Sequence, residues 1–381
     1  MRFGRWTESL STEMRAQADV EADSCLAELA AAGQLQPIQA VFRAMPDNHS
    51  PLPADAPEPL RQFFASKMTL PPWADPARIR RGERVFLQNG LPIAVVLLCK
   101  SIPEGYGAPA LTQVLYMTGL LQDRPLRRLL GVLQMVLDVA TDGGFEPEGR
   151  ALRVAMKLRL LHAGLRPIVR ANLPGYETQH GVPCNHEDML ATVMGFSQVA
   201  VDGLQRLGAH LTPEEAEDMF YPWRVFCACM GIPEAYIPND LADARQFYDA
   251  YAHRQYRPAR ENPEGVALAH AHMQMLRDLL PNLAPYTGTR HLPQVYMWML
   301  MGRDKCERVQ IASVDGRWLL KVAAMLAVRS ATVRQDERLH ALFAPLSRRL
   351  SLAVYKALIT KEYNGIPAII VPAQVTDVWN I

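Results

Sequence analysis

The sequence predicts an all-α protein, and three observations carry that expectation. Apolar residues recur at steps of three and four along many stretches. No segment shows sustained alternation of apolar and polar residues, and strand-like runs such as Ala368 to Val371 are few and short. Helix start signals recur as well, among them Asp75 before Pro76, Asn185 before Glu187 and Asp188, and Thr212 before Pro213 and Glu215. With 381 residues, 49% apolar and 21% charged, the chain is long enough to bury a large core. No internal repeat or low-complexity stretch divides it. The expectation is one multi-helix domain over 1–381.

In chain order, 9–32 reads as an opening helix, and Pro46 to Pro59 as a proline-rich surface connection. Asp75 caps the next helix, whose Arg78, Arg80, Arg81 and Arg84 read as a solvated face because Glu83 interrupts them. Asn89 and Gly90 stop it. Leu91 to Lys100 is apolar all round and predicts a buried helix, and Pro103 to Pro109 a turn. Helices follow over 111–121 and 124–140. Leu173 to Pro183 reads as a loop, Asn185 to Leu207 as one helix, and Thr212 to Met230 as another, opened by a capping box. Further helices fit 239–254, 263–279, 317–330 and 334–360. Pro281 to Pro293 is the weakest point in the chain.

Composition excludes several function classes. A net charge of +1 gives no electrostatic reason to expect nucleic acid or an acidic membrane surface. The six cysteines show neither CxxC nor CxxCH spacing, against a zinc ribbon, a dithiol redox motif or a covalently attached c-type haem. The N-terminus lacks the apolar stretch of a secretory signal, and the run Leu91 to Cys99 is half a membrane span at best. These features predict a cytoplasmic protein without a membrane span. The seventeen methionines read as gap-filling core residues.

The stretch Arg150 to Ala171 is the most informative. Ala151, Ala155, Leu158, His162, Leu165 and Val169 share one helical face, so an imidazole sits inside an apolar stripe. Arg153, Lys157, Arg159, Arg166 and Arg170 flank it, with no acid from Ala151 to Asn172. An imidazole in an apolar wall, beside guanidinium groups, suits a flat anionic metal cofactor such as haem. His162 would bind the iron and arginines would neutralise propionates. Arg166, one turn beyond His162, is the candidate for that second role. The bland alternative is a core histidine bonded to a carbonyl, with the arginines facing solvent. Pro167 predicts a kink just after His162.

Several stretches together resemble the latex-clearing-protein family of rubber oxygenases and the related MpaB-type oxygenases. They are Pro72 to Asp75 with Gly82, Thr118 with Gly119, and Arg128 with Leu129. The most specific are an RxxHAxxR piece from Arg159 through His162 to Arg166, and a PxNxED piece from Pro183 to Asp188. Thr192, Phe196, Trp223 with Arg224, and Gly231 with Pro233 follow in the family's order. The similarity is strongest over 65–280.

The resemblance implies a globin-like core holding b-type haem, with His162 as the axial iron ligand. It places Arg128 in the haem pocket and Thr192 beside the haem, as catalytic and cofactor-binding residues. It also implies oxygenase chemistry with dioxygen on a small apolar substrate of isoprenoid or polyketide origin. Two departures stand out. Gly131 and Val132 occupy the places of the family's distal lysine and threonine, and Thr112 that of a glutamate base. A haem-binding sensor or carrier without turnover is therefore the alternative.

Two other patterns compete. Glu177 with His180 and Glu337 with His340 have the ExxH spacing of di-iron bundles, although glycines and a proline around the first argue against a helix there. His270 and His272, two apart on a helix, point in different directions and suit capping or surface roles.

Overall fold

The computed structural model describes residues 3–35, 38, 41, 45–65, 68–119, 125–279 and 290–314, less the side chains of Pro125 and Arg128. All the secondary structure among these residues is helical. The expected helices over 317–330 and 334–360 lie outside the described residues, as do Ala368 to Val371 and Glu337 with His340.

The N-terminal part follows its caps. Thr7 accepts from the Leu10 amide to start α1 (Glu8–Arg15), and Asp19 accepts from the Ala22 amide to start α2 (Val20–Ala31). The expected single helix over 9–32 is thus two, because a capping residue must leave helical geometry. After α3 (Glu58–Ala65), Asp75 caps α4 (Pro76–Gln88).

At Asn89 the chain bends by 77° into a composite helix. It comprises α5 (Gly90–Val96), a π-helical turn over Leu97–Ser101, and α6 (Ile102–Gly105). The turn expected from Pro103 therefore begins later, since α6 runs through that proline. Among the described residues no single helix is long and apolar enough to cross a membrane. Only the bent pair of α4 with this composite helix passes on length and composition.

Helices α7 (Pro109–Met117), α8 (Pro125–Ala140) and α9 (Ala151–Asn172) follow. Helix α9 is continuous to Asn172, so Pro167 does not end it. Tyr176–His180 forms α10 where the sequence predicts a loop, started by Gly175 at φ +83°. The expected helix from Asn185 divides at Ser197 into α11 (His186–Phe196) and α12 (Gln198–Arg206). Helix α13 (Pro213–Cys229) carries the full capping box of Thr212 and Glu215. Helices α14 (Leu241–Gln255), α15 (Pro263–Leu279), α16 (Leu292–Met301) and α17 (Arg303–Arg308) complete the described part. The last two fall in and after a stretch that sequence patterning leaves unassigned.

The core forms where α4, α11, α13 and α14 meet. Trp223 of α13 is wholly buried, its ring 6.2 Å from Phe86, 5.8 Å from Phe196 and 6.0 Å from Phe226. Helices α4 and α13 touch backbone to backbone: a methyl group on Gly82 would collide with the Asp218 carbonyl oxygen. The four α4 arginines stay on the outer side, where Arg78 and Arg81 share the Asp218 carboxylate at 3.0 and 2.8 Å.

Candidate active site

Helix α9 is buried on nearly its whole circumference. Ala151, Ala155, Leu165 and Val169 of the predicted stripe are buried, and so are Arg153, Lys157, Arg159 and Arg166. The cations are therefore not a solvated face; only Arg170, paired with Glu177 at 2.7 Å, is largely exposed. Their acids come from elsewhere in the chain, which explains why the helix itself has none. Arg159 donates to Asp19 (Nη2, 2.9 Å) and Glu21 (2.8 Å) and lies over the Phe63 ring, locking α9 against α2. Arg166 stands 3.2 Å from Asp23, while its Nε and Nη1 have no hydrogen-bond partner. Lys157 is pushed down to about 7 by burial, and then by Arg153 beside it.

Against this packed background, a few positions on α8, α9 and α11 remain accessible. Several of them border a cavity of about 240 Å³. Leu161, His162 and Leu165 of α9 line it, with Val132 of α8 and Met189 and Thr192 of α11. Thr192 is exposed although the rest of α11 is almost wholly buried. Its hydroxyl donates to the Asp188 carbonyl at 2.8 Å, one turn back. Gly105 and Gly195 open onto the same space, where an added Cβ would meet nothing within 4 Å.

The structure thus brings His162 and Thr192 together on one cavity, beside Val132. Arg166 is not among the lining residues and is turned to Asp23 instead. The side chain of Arg128 lies outside the described residues, although the next residue, Leu129, lines the cavity. Thr112 is fully buried and does not line it; its hydroxyl donates to Asn262 Oδ1 at 2.8 Å.

The PxNxED stretch mainly holds the site, although its Cys184 and Asp188 also line the cavity. Asn185 caps α11 by accepting from the Asp188 amide at 2.9 Å. Buried Glu187 accepts from Ser11 (2.6 Å), Arg15 (3.2 Å) and Gln255 (3.0 Å). Asp188, which does reach the cavity, accepts from Arg15 (3.0 Å), Tyr251 (2.9 Å) and Asn185 (2.8 Å). Two adjacent carboxylates thereby tie α1 and α14 to α11, and with them the wall that carries Thr192.

Sequence reasoning missed the other side of the cavity. Ser101 of the π turn, Tyr106, Tyr248 and Tyr256 line it, together with His272 of α15. His272 is fully buried, contrary to the surface role its HxH spacing suggests. His270, by contrast, is exposed and reaches the Gln310 carbonyl at 3.2 Å. The signal for a buried histidine was the mostly apolar run around it, from Val266 to Leu276. Glu177 and His180 do share a helical turn in α10, but among the described residues no three His, Cys, Asp or Glu side chains gather as a metal site.

Comparisons with known proteins agree with this picture. A family described as "ER-bound oxygenase mpaB/B'/Rubber oxygenase, catalytic domain" matches residues 80–349. The rubber oxygenase of Streptomyces sp. (strain K30) is 24% identical over 274 residues, covering 68% of this chain and 64% of that protein. The chain so matched spans less than two thirds of its relative's length. The structure of latex clearing protein LCP in the closed state superposes with a TM-score of 0.73 at 19% identity, over 91% of this chain and 90% of that one.

Proposed function

The chain belongs to the family of mpaB-type and rubber oxygenase catalytic domains, and on that basis we propose that it is a haem b-dependent oxygenase whose iron is held by His162. The observation that carries the reading is the position of His162: an imidazole among leucines on the wall of a largely apolar cavity, on the helix with the RxxHAxxR piece. The donor set fits a b-type haem in two respects. A neutral imidazole is the common protein ligand of such iron. Leucine, valine and glycine walls suit the two faces of a flat apolar ring, and Gly105 and Gly195 leave room where a Cβ would intrude.

Bound haem would supply the centre at which dioxygen is activated. Leu161, Leu165 and Val132 exclude water from it and leave space for a small apolar substrate of isoprenoid or polyketide origin. Thr192 presents a hydroxyl whose proton is already given to the Asp188 carbonyl, so it offers its oxygen lone pairs to the cavity. Arg128, one residue before the cavity-lining Leu129, is assigned to a propionate or an anionic oxygen species. Arg166 has a lesser claim on a propionate, because Asp23 already faces its Nη1 at 3.2 Å, although its buried Nε has no hydrogen-bond partner.

A second reading, a haem-binding sensor or carrier, is favoured by a specific observation. Val132 occupies the cavity wall where the family has a polar residue, and Thr112 neither carries a carboxylate nor reaches the cavity. Allylic deprotonation from that position is therefore closed, and cleavage of polyisoprene is not proposed. Absorption spectra of freshly purified protein, oxidised, dithionite-reduced and carbon-monoxide-treated, test the cofactor. A Soret band that shifts with carbon monoxide and disappears in His162→Ala is expected; a colourless wild type overturns the reading. Oxygen uptake with a small alkene separates the enzyme from the carrier.

A further inference from the structure

The π turn at Leu97–Ser101 sets up a polar feature in the wall of the mostly apolar cavity. In this turn the Ile102 amide donates to the Leu97 carbonyl, five residues back. The same pattern would pair the Leu98 carbonyl with residue 103, but that residue is Pro103 and has no N–H. A buried carbonyl left this way needs a donor from elsewhere. His272 provides it: its Nε2 lies 2.8 Å from the Leu98 oxygen.

That bond fixes the chemistry of the ring. A carbonyl oxygen only accepts, so Nε2 carries the proton. Burial pushes the ring's pKa down to about 4, so the imidazole is neutral and Nδ1 holds an unshared lone pair. Nδ1 is buried without a hydrogen-bond partner, and so is the hydroxyl of Ser101, three residues past Leu98 in the same turn. Both residues line the cavity, and the Tyr106 ring stands edge-on to His272 at 5.9 Å, fixing its plane. One acceptor and one hydroxyl therefore await partners in the cavity wall.

Building on the oxygenase reading, we propose that Ser101 and His272 form a recognition site for a hydroxyl group on the substrate, which is an apolar alcohol rather than a plain hydrocarbon. An alcohol satisfies both atoms at once, donating to Nδ1 and accepting from the Ser101 hydroxyl. An ether or ketone can only accept and leaves Nδ1 unpaired. A carboxylate does the same and adds a charge that this lining does not balance, since it includes no lysine or arginine among the described residues. A hydrocarbon leaves both atoms unpaired. His272 acts here as a specificity-determining acceptor and not as a base, because its protonated form is strongly disfavoured.

The test is isothermal titration calorimetry of the purified full chain, as isolated and after haem loading, with geraniol, geranyl methyl ether and 2,6-dimethyl-2,6-octadiene. These share one apolar skeleton and differ in donor and acceptor capacity. Geraniol should bind about tenfold more tightly than the ether, the value of one well-placed buried hydrogen bond. His272→Phe should bring the two ligands to equal affinity. Ser101→Ala should weaken geraniol and the ether together, roughly threefold to tenfold, with the hydrocarbon unchanged. Equal affinity for alcohol and ether on the wild type overturns the proposal, as does a preference that survives in His272→Phe. If that variant does not fold, an unchanged geraniol affinity in Ser101→Ala is decisive against it. Colourless protein that still prefers geraniol would defeat the haem reading alone, and haem protein indifferent to the hydroxyl would defeat this one alone.

Discussion

Two histidines look onto the same cavity from walls built in different ways. His162 stands on α9, where an apolar stripe and an RxxHAxxR piece announce it, and its side chain is part-exposed to the cavity. His272 stands on α15, is wholly buried, and depends on a carbonyl 174 residues away that a π turn and Pro103 leave unpaired. The first wall is written in local spacing. The second exists only once α15 has docked against the composite helix. A residue that accepts a ligand must stay reachable, whereas one that reads a ligand's hydroxyl can be held rigid and dry. The difference in burial is consistent with the two roles proposed for these histidines.

The largest expected effect breaks the comparison if the roles are reversed. His162→Ala should abolish the Soret band, while His272→Phe should retain it, as read by haem content per chain in protein purified side by side. Loss of haem in both, or in His272→Phe alone, would place the iron ligand on the wrong wall. His162→Ala should also leave the far-ultraviolet circular dichroism unchanged, since the ring is only partly packed.

The next effect concerns the support beneath the first wall. Glu187 is buried under Ser11, Arg15 and Gln255 and touches no part of the cavity. Glu187→Ala takes from Arg15 one of its two carboxylates, the other being Asp188, and removes the carboxylate that the largely buried Arg254 faces at 3.4 Å. Truncating one partner of such a buried network costs about 3–5 kcal/mol. The midpoint of urea denaturation should fall accordingly. A loss below about 1 kcal/mol would mean that the adjacent acids owe their place to the site rather than to the fold.

The second wall should reveal itself through pH. Burial depresses the folded-state pKa of His272 to about 4 from an ordinary value of 6.5. Between those values the unfolded chain binds a proton that the folded chain refuses. The contribution of His272 is thus fully present above pH 6.5 and is lost as pH falls through about 4. Its ceiling is about 3 kcal/mol, because each tenfold loss of proton affinity on folding is worth about 1.4 kcal/mol. Stability measured from pH 7 down to pH 4 should decline, and His272→Phe should flatten that part of the slope. A slope unchanged in the variant would show that the ring is more solvated than its surroundings allow.

The same contrast explains what could be read from the sequence. Helices α4, α11 and α13 announce themselves through side chains that cap within three residues, as Asp75, Asn185 and Thr212 do. Helix α9 was legible from its period, and the cavity-lining residues His162 and Thr192 from stretches on it and on α11. What failed was whatever needed a distant partner. The arginines of α9 read either as propionate partners or as a solvent face, and their pairing with Asp19, Glu21 and Asp23 was hidden because those acids lie well over a hundred residues earlier. The π turn lies within the apolar run from Leu91, which reads as ordinary helix, and the partner of its Leu98 carbonyl comes from His272 far along the chain. Breaks at Asp19 and Ser197 interrupt patterns that are helical on either side, and Tyr176–His180 was hidden by its flanking glycines.

The smallest expected effect separates support from chemistry within the first wall itself. The Thr192 hydroxyl donates back to the Asp188 carbonyl on the same helix, a bond that α11 does not need in order to form. The side chain is exposed to the cavity, so Thr192→Val exchanges a hydroxyl for a methyl without creating a void. Folding stability should change by less than about 1 kcal/mol. The reduced, carbon-monoxide-treated spectrum should shift nonetheless, because the variant removes a polar atom on the surface that faces the proposed cofactor. A destabilised Thr192→Val with an unaltered spectrum would assign the threonine to helix α11 and leave His162 as the haem-facing residue of that wall.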